Sequence, residues 1–226
     1  MTGTLINALS VIVGSSIGLF MGSRLTERYR KIVINAISLV TLLIGLKLSL
    51  EVKSIFWVLL SLILGGLIGE LISLDGIVEK LGDYVNKRVQ KGDIVNAFMS
   101  ASLLFCVGPM SILGSFQDGL KGDYSILLLK SALDGVSSLF LASSLGIGVF
   151  FSFITILLYQ GSLTLFARVL SPVFDNTYIA SNFYATGGIM LIGIGFNLLG
   201  LTRIKTINYI FALILVVIFS KVGGIL

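Results

Sequence analysis

Residues Phe105–Asp123 read FCVGPMSILGSFQDGLKGD, and a Gly108-Pro109 pair interrupts the apolar part of this stretch. Proline has no backbone N–H and its ring clashes with the preceding turn, so the pair predicts that an incoming helix kinks or stops. Gln117 and Asp118 follow shortly afterwards. Inside a membrane such a break frees backbone carbonyls beside polar side chains, which makes this stretch a candidate binding site.

The composition around this stretch is that of a membrane protein. Of the 226 residues, 56% are hydrophobic and 12% are charged, and the mean hydropathy is +1.05. Soluble domains carry about 25% charged residues, so this chain has too few polar groups to cover a water-soluble globule. Histidine is absent and Cys106 is the single cysteine. Imidazole catalysis and an internal disulfide are therefore excluded, and we expect no cofactor, no metal site and no enzymatic activity.

Apolar stretches of about 20 residues cross the ~30 Å hydrocarbon core of a bilayer as helices. The sequence predicts an all-α polytopic bundle of seven to eight such spans in one integral membrane domain over residues 1–226. Eight stretches qualify: 3–22, 32–50, 54–74, 95–114, 125–144, 147–167, 180–200 and 206–222. The fourth and fifth either cross fully or meet as re-entrant halves, and the sequence leaves both arrangements open.

The basic residues orient the chain. Ten of them fall in the loops after the first, third and seventh spans, against four in the other loops. Because cytoplasmic loops are rich in Lys and Arg, both termini are predicted to lie outside, with the long loops in the cytoplasm. The expected partners are the lipid bilayer and a small solute or ion. Faces of small residues are compatible with a homodimer, and the scattered basic residues do not indicate nucleic acid binding.

Residues 75–91 follow the third span and predict an amphipathic helix on the cytoplasmic interface. Its apolar positions fall close to one helical face, and the opposite face is charged. This segment is either a solvated linker or a surface that recruits a cytoplasmic partner.

Short matches suggest an internal repeat. The stretch GSSIGLF from Gly14 is similar to GSLTLF from Gly161, and LIGL from Leu43 is similar to LIGI from Leu191. Spans 1–3 would then correspond to spans 6–8 in inverted orientation, a plan that recurs in transporters. Matches of this length also arise by chance in helices rich in glycine and leucine.

Asp134 is the strongest candidate for a functional residue. It lies near the middle of the fifth span, where a charged side chain costs at least ~2.5–3.5 kcal/mol and normally faces a cavity or a partner. Lys130 precedes it by one helical turn and is placed to pair with it. The alternative is that this pair only holds helices together.

Further candidates are uncharged or lie near the helix break. Gln117 and Asp118 either line the outer entrance of a site or face water in a short loop. The remaining members of the predicted site either bind solute or pack helices together: Gly108, Pro109, Gln160, Asn182, Gly187, Gly188 and Asn197.

Several long stretches resemble one known family. Besides FCVGPMSILGSFQDGLKGD they are KSALDGVSSLFLASSLGIGVFFS, YQGSLTLFA and YATGGIMLIGIGFNLL. The chain resembles the YqgA/YdfK-like bacterial inner-membrane proteins over nearly its whole length. The resemblance implies a multi-spanning plasma-membrane protein, often described as a transporter candidate, without an assigned substrate. The motif positions of the family would include Gly108, Pro109, Gln117, Asp118, Lys130, Asp134, Gln160, Gly187 and Gly188.

Two hypotheses for function result. The first is a transporter or channel for a small solute or ion, with Asp134 binding a cation, a proton or an ammonium group in mid-membrane. The second is a non-transporting scaffold or sensor that recruits a cytoplasmic partner through residues 75–91. A water-reachable Asp134 favours the first hypothesis, and an Asp134 closed in a pair with Lys130 favours the second.

Overall fold

A computed structural model of the chain describes residues 1–21, 27–77, 80, 94–106 and 109–223, and the elements of this part are helices. In chain order they are α1 (Thr2–Met21), α2 (Glu27–Ser49), α3 (Ile55–Ile72), α4 (Ile94–Cys106), α5 (Pro109–Lys121), α6 (Ser125–Leu145), α7 (Ser152–Val169), α8 (Ser171–Phe174), α9 (Thr177–Leu198) and α10 (Ile210–Gly223). One-turn 3-10 helices precede α7 and α10. Most of the predicted interfacial helix lies outside the described residues, which include only 75–77 and 80 of that segment.

Six helical segments of the described chain are long and apolar enough to cross a membrane, and α4 with α5 would add a seventh. The six correspond to the predicted spans one, three, five, six, seven and eight. The predicted second span coincides with a shorter apolar helix, Ile34–Ser49. The chain is therefore a polytopic helical bundle, while the count of eight spans and the inverted repeat stay predictions.

The predicted fourth span is two helices. The first ends at Cys106 and the second begins at Pro109, and their axes are bent by 60°. Proline suits the first position of a helix because its missing N–H would have no partner there anyway. The fourth helix therefore stops near Gly108-Pro109, as the sequence predicts, although Gly108 itself lies outside the described residues.

The chain forms two compact units, and the boundary between them falls within α2. The first unit contains residues 1–37 and 78–168 and is built on α1 packed against α6. Gly14 and Gly18 make this packing close, because a Cβ on either would overlap a backbone carbonyl oxygen of α6. Helices in membranes associate through such small residues, since lipid tails are as apolar as leucine side chains.

The second unit contains residues 38–77 and 169–226 and is built on α3 packed against α10. Gly65 of α3 lies against Ala212, and Gly69 lies against the backbone of Asn208. Both ends of α3 are held by asparagine side chains. Asn182 Oδ1 accepts the N–H groups of Lys53 and Ser54 at 3.0 and 2.9 Å, just before α3 begins.

A charged cluster holds the other end of α3. Lys205 Nζ lies 2.9 Å from both Glu70 Oε1 and Asp75 Oδ2. Asn208 Oδ1 accepts the N–H of Asp75 at 2.8 Å, and its Nδ2 donates to Glu70 and Asp75. The hydrogen bonds from Lys205 and Asn208 hold the pKa of Asp75 below its ordinary value, and the bonds to Asp75 and Glu70 raise the pKa of Lys205.

Adding a methyl group to Gly14 tests the packing of α1 on α6. Gly14→Ala places a Cβ against the Gly135 carbonyl oxygen, and overpacking of this kind costs about 1–3 kcal/mol. We expect a lower thermal unfolding midpoint in detergent than for the matched control Gly76→Ala, whose Cβ would meet, among the described residues, only the Ser73 Cβ at 3.6 Å. Equal midpoints for the two variants would show that α1 and α6 do not approach this closely.

The stabilisation by the charged cluster at the end of α3 depends on pH. Because folding lowers the pKa of Asp75, its stabilisation is present above its unfolded pKa of about 3.9 and is lost as pH falls through the lower folded value. Because folding raises the pKa of Lys205, its stabilisation is present below about pH 10.4 and is lost as pH rises through the raised folded value.

Hydrogen exchange of the Asp75 amide, corrected for the intrinsic rate, measures this dependence. Its protection should be constant between about pH 5 and pH 9 and should fall below about pH 4. Asp75→Asn should remove the fall at low pH. The assignment is wrong if the variant and the wild type lose protection at the same low pH.

Candidate functional site

A buried ion pair lies in the first unit. Lys130 and Asp134 are one turn apart on α6, and their side chains are each only 8% exposed. Lys130 Nζ donates to both carboxylate oxygens of Asp134, at 3.0 Å to Oδ1 and 2.7 Å to Oδ2. Desolvating two charges is costly, and the loss is offset only by close geometry and additional hydrogen bonds. The structure thus brings together the two residues that the spacing of the sequence pairs.

Asn7 of α1 and Gln160 of α7 complete this cluster. Asn7 Nδ2 lies 2.9 Å from Asp134 Oδ2 and 3.3 Å from Gln160 Oε1, and both amides are fully buried. We refer to Asn7, Lys130, Asp134 and Gln160 as the polar cluster. Three helices therefore contribute polar groups to one point inside the first unit.

The sequence-based site did not include Asn7, although a signal for it was present. Asn7 precedes Gly14 by seven residues, which is close to two helical turns, so both share one face of α1. Gly14 is the residue that packs on α6. Its position on that face therefore indicated that Asn7 could bond a carboxylate of α6.

Some polar atoms of the cluster have no hydrogen-bond partner within the described residues. They are Asn7 Oδ1 and Gln160 Nε2, and Thr4 Oγ1 is a third such atom one turn from Asn7 on α1. Buried polar atoms in proteins are paired in the great majority of cases, and an unpaired one points to a water molecule, an ion or a ligand. An acceptor and a donor without a partner among the described residues thus lie beside a buried charge pair.

Gln117 and Asp118 lie on α5 and are 3% exposed, so they do not form the water-facing loop that the sequence left open. Asp118 Oδ2 accepts the N–H of Gly3 at 3.0 Å in the first turn of α1, and Asp118 Oδ1 lies 3.1 Å from the α-amino group of Met1. A carboxylate there satisfies a free donor and complements the positive end of the helix dipole. Asp118 therefore anchors the beginning of α1.

Gln117 anchors the beginning of α6 in a similar manner. Its Nε2 donates to Asp123 Oδ2 at 2.6 Å, and Asp123 Oδ1 accepts the N–H of Ser125 at 2.9 Å. Ser125 is the first residue of α6. Gln117 and Asp118 thus position the two helices that carry Asn7 and Asp134, and their assignment to a solute entrance stays a prediction.

The helix break leaves one backbone carbonyl to be satisfied by a side chain. Ser111 Oγ donates to the Phe105 carbonyl oxygen at 3.2 Å across the bend. A cation at that carbonyl would have to share it with Ser111. Pro109 is the first residue of α5, while Gly108 lies outside the described residues.

The other predicted site residues belong to the second unit, and their contribution to a solute site stays a prediction. Besides holding the start of α3, Asn182 donates to Ser220 Oγ at 3.1 Å. Gly188 lies against the backbone of Gly45 and Ser49, and its neighbour Gly187 is buried. Asn197 bonds the backbone N–H and carbonyl of Ile204, and so closes the loop after α9.

The cluster can bind by charge and hydrogen bonds. The described residues contain no group of three or more His, Cys, Asp and Glu side chains that could hold a metal ion. Lys130 and Asp134 instead offer one cation and one anion, and the amides of Asn7 and Gln160 offer donors and acceptors. This set suits a small polar solute, an ion or a proton.

Comparison with known proteins finds one family model and two similar proteins that cover nearly the whole chain. Residues 2–221 match the family model described as "Protein of unknown function (DUF554)". The chain is 34% identical over 225 residues to the uncharacterized membrane protein YdfK of Bacillus subtilis (strain 168), covering 97% of this chain and 96% of YdfK. It is 30% identical over 220 residues to the uncharacterized protein YqgA of Escherichia coli (strain K12), covering 94% of this chain and 93% of YqgA. Comparison with solved structures finds no match.

The apolar helices, the full-length family match and the similarity to YdfK agree with one another. The chain is a multi-pass membrane protein, and it belongs to the family described as protein of unknown function DUF554.

Proposed function

We propose that the chain is a transporter or channel for a small solute or ion, and that the polar cluster is its binding site. In this proposal the protein lies in the bacterial plasma membrane with both termini outside. Asp134 is the residue that binds the cationic group of the solute, or a proton. Asn7 and Gln160 supply hydrogen bonds, and Gln117 and Asp118 position α6 and α1.

The observation that carries this proposal is the pair of unpartnered amide atoms beside the ion pair. A cluster that served only to join helices would be most stable with every buried polar atom bonded, because each unpaired one costs about 1–3 kcal/mol. Asn7 Oδ1 and Gln160 Nε2 are buried without a partner among the described residues. Functional sites retain such costs when the polar atoms bind a ligand.

The ion pair sets the chemistry of binding. Lys130 Nζ contacts both oxygens of Asp134, so a cation or ammonium group must displace the lysine to reach the carboxylate. Protonation of Asp134 would likewise release Lys130. Either event changes the charge balance inside the membrane, and intramembrane charged pairs of this kind occur on substrate paths and proton relays.

Charge movement in proteoliposomes tests transport. A panel of monovalent and divalent cations, amines and amino acids is applied to wild type and to Asp134→Asn, with a pH-sensitive dye to detect electroneutral exchange. We expect a solute-dependent signal in wild type and a loss of at least about tenfold in Asp134→Asn, because the amide removes the charge that binds the cationic group.

The matched control for this assay is Asp175→Asn, which makes the same chemical change at an exposed site in the other unit. It should transport like wild type. Full transport by a folded Asp134→Asn protein would remove Asp134 from the path, and silence of wild type in both assays would contradict transport of the solutes in the panel.

A second candidate is a non-transporting scaffold or sensor. The observation that favours it is the closure of the ion pair, since Lys130 and Asp134 are bonded to each other and largely shielded from solvent. In that case the pair only stabilises the first unit, and the partner-binding surface would lie in residues 75–91.

Removing one or both charges tests how Lys130 and Asp134 contribute to the stability of the first unit. Asp134→Leu leaves Lys130 buried without a counter-charge and should lower the free energy of unfolding by about 3–5 kcal/mol. The double variant Lys130→Met/Asp134→Leu removes both charges, and apolar replacements of buried pairs are often neutral or stabilising. We therefore expect its thermal unfolding midpoint to return close to that of wild type. A double variant as unstable as the single one would show that the two charges do not form an isolated pair.

A further inference from the structure

Two apolar grooves in the second unit meet at Ile204 and Tyr209, beside an exposed arginine and an exposed carboxylate. We propose that these grooves bind the two acyl chains of one phospholipid with an ethanolamine headgroup. Its phosphate would bind Arg203, and its ammonium group would bind Glu70. This site is separate from the polar cluster and does not depend on the proposed transport.

The first groove has a volume of about 600 Å³ and follows one face of α3. Leu62, Gly66 and Leu67 line it, and Glu70 lies at its end. Glu70 follows Leu62 by eight positions, a rise of about 12 Å along a helix, so the groove extends from the polar end of α3 toward its apolar middle. Leu67 is 63% exposed, which leaves the groove open to a lipid chain from the side.

The second groove has a volume of about 290 Å³ and follows α9. Ile189, Gly193 and Phe196 line it. It shares Leu62, Ile204 and Tyr209 with the first groove. Two apolar grooves that share part of their lining offer separate space for the two chains of a phospholipid. A soluble ligand of single-chain shape would leave one of them unused.

The charged residues that line the first groove, Glu70, Arg203 and Lys205, determine which headgroup fits. Lys205 carries one positive charge and bonds two carboxylates, Glu70 and Asp75, so these three groups together hold one surplus negative charge. Arg203 also lines the first groove, and it forms no ion pair or hydrogen bond with the other described residues. Among the described residues, the site therefore presents one unpaired cation and one surplus anion.

A phosphoethanolamine headgroup has the complementary charges. Its phosphate fits the forked donors of a guanidinium, and its primary ammonium donates hydrogen bonds to a carboxylate. A choline headgroup has the same charges but no N–H to donate. A glycerol headgroup brings only the anion and leaves the surplus carboxylate charge opposed to it.

The position of the site in the fold suits a membrane lipid. Glu70 lies in the last turn of a membrane-spanning helix, and Arg203 lies outside the spans in the loop between α9 and α10 of the same unit. Tyr209 lines both grooves, and tyrosine is enriched at membrane–water interfaces. The headgroup would thus lie at the interface while the chains extend into the hydrocarbon region.

Native mass spectrometry of the full chain in nanodiscs tests this proposal. The nanodiscs contain equal amounts of phosphatidylethanolamine, phosphatidylcholine and phosphatidylglycerol with identical acyl chains. We expect wild type to retain one phosphatidylethanolamine with a preference of about tenfold over each of the other two, as hydrogen bonds between charged groups would give. Arg203→Gln should lose this retention about tenfold, and Glu70→Gln should remove the preference over phosphatidylcholine.

The controls are Arg168→Gln and Asp175→Asn, which remove exposed charges elsewhere in the chain and should retain the lipid like wild type. Thermal unfolding in phosphatidylcholine alone verifies that Arg203→Gln is folded. The proposal is overturned by equal retention of the three lipids, by a preference for phosphatidylglycerol, or by wild-type retention in either site variant.

Discussion

The arrangement of the first unit depends on a buried charge pair. Lys130 and Asp134 lie within a membrane-spanning helix, where neither reaches a helix end, and each lacks the water that would solvate it. Such a pair persists only with close geometry and further hydrogen bonds. The additional bond comes from Asn7 on α1, and it requires α1 to lie very close to α6. Glycine at positions 14 and 18 permits that approach.

The helix break between α4 and α5 also helps to position α1 against α6. Because α4 stops and α5 begins at a 60° bend, the end of α5 reaches the starts of both α1 and α6. Asp118 bonds the first turn of α1, and Gln117 bonds Asp123, which accepts the N–H of the first residue of α6. The depth of Asn7 and Asp134 in the unit is therefore set by side chains of a third helix. A single interrupted helix thus fixes the register of the two helices that enclose the charge pair.

The sequence predicted those features that depend on local spacing. The membrane class depends on composition, the pairing of Lys130 with Asp134 depends on a separation of four residues, and the end of α4 depends on proline. The last two involve residues within one or two turns, so the local pattern determines the contact. Asp118 instead bonds Met1 and Gly3, more than a hundred residues away, and no local pattern carries that information.

Two asparagines show the same limit. Asn7 and Asn182 are both polar residues in apolar helices, and the sequence-based site included only Asn182. In the structure Asn7 bonds a carboxylate, and its oxygen has no partner among the described residues, whereas the oxygen of Asn182 accepts two backbone N–H groups. Glu70, at the end of α3, is exposed to solvent and also bonds Lys205 and Asn208. Tertiary partners decided each of these roles.

In the function proposed here, the charge pair binds solute in addition to stabilising the first unit. Solute-dependent charge movement in proteoliposomes tests this with the Lys130→Met/Asp134→Leu double variant, at a temperature where it is as folded as wild type. We expect the double variant to give no signal for a solute that wild type transports. Transport at the wild-type rate by the folded double variant would contradict it, and the pair would then be a structural element only.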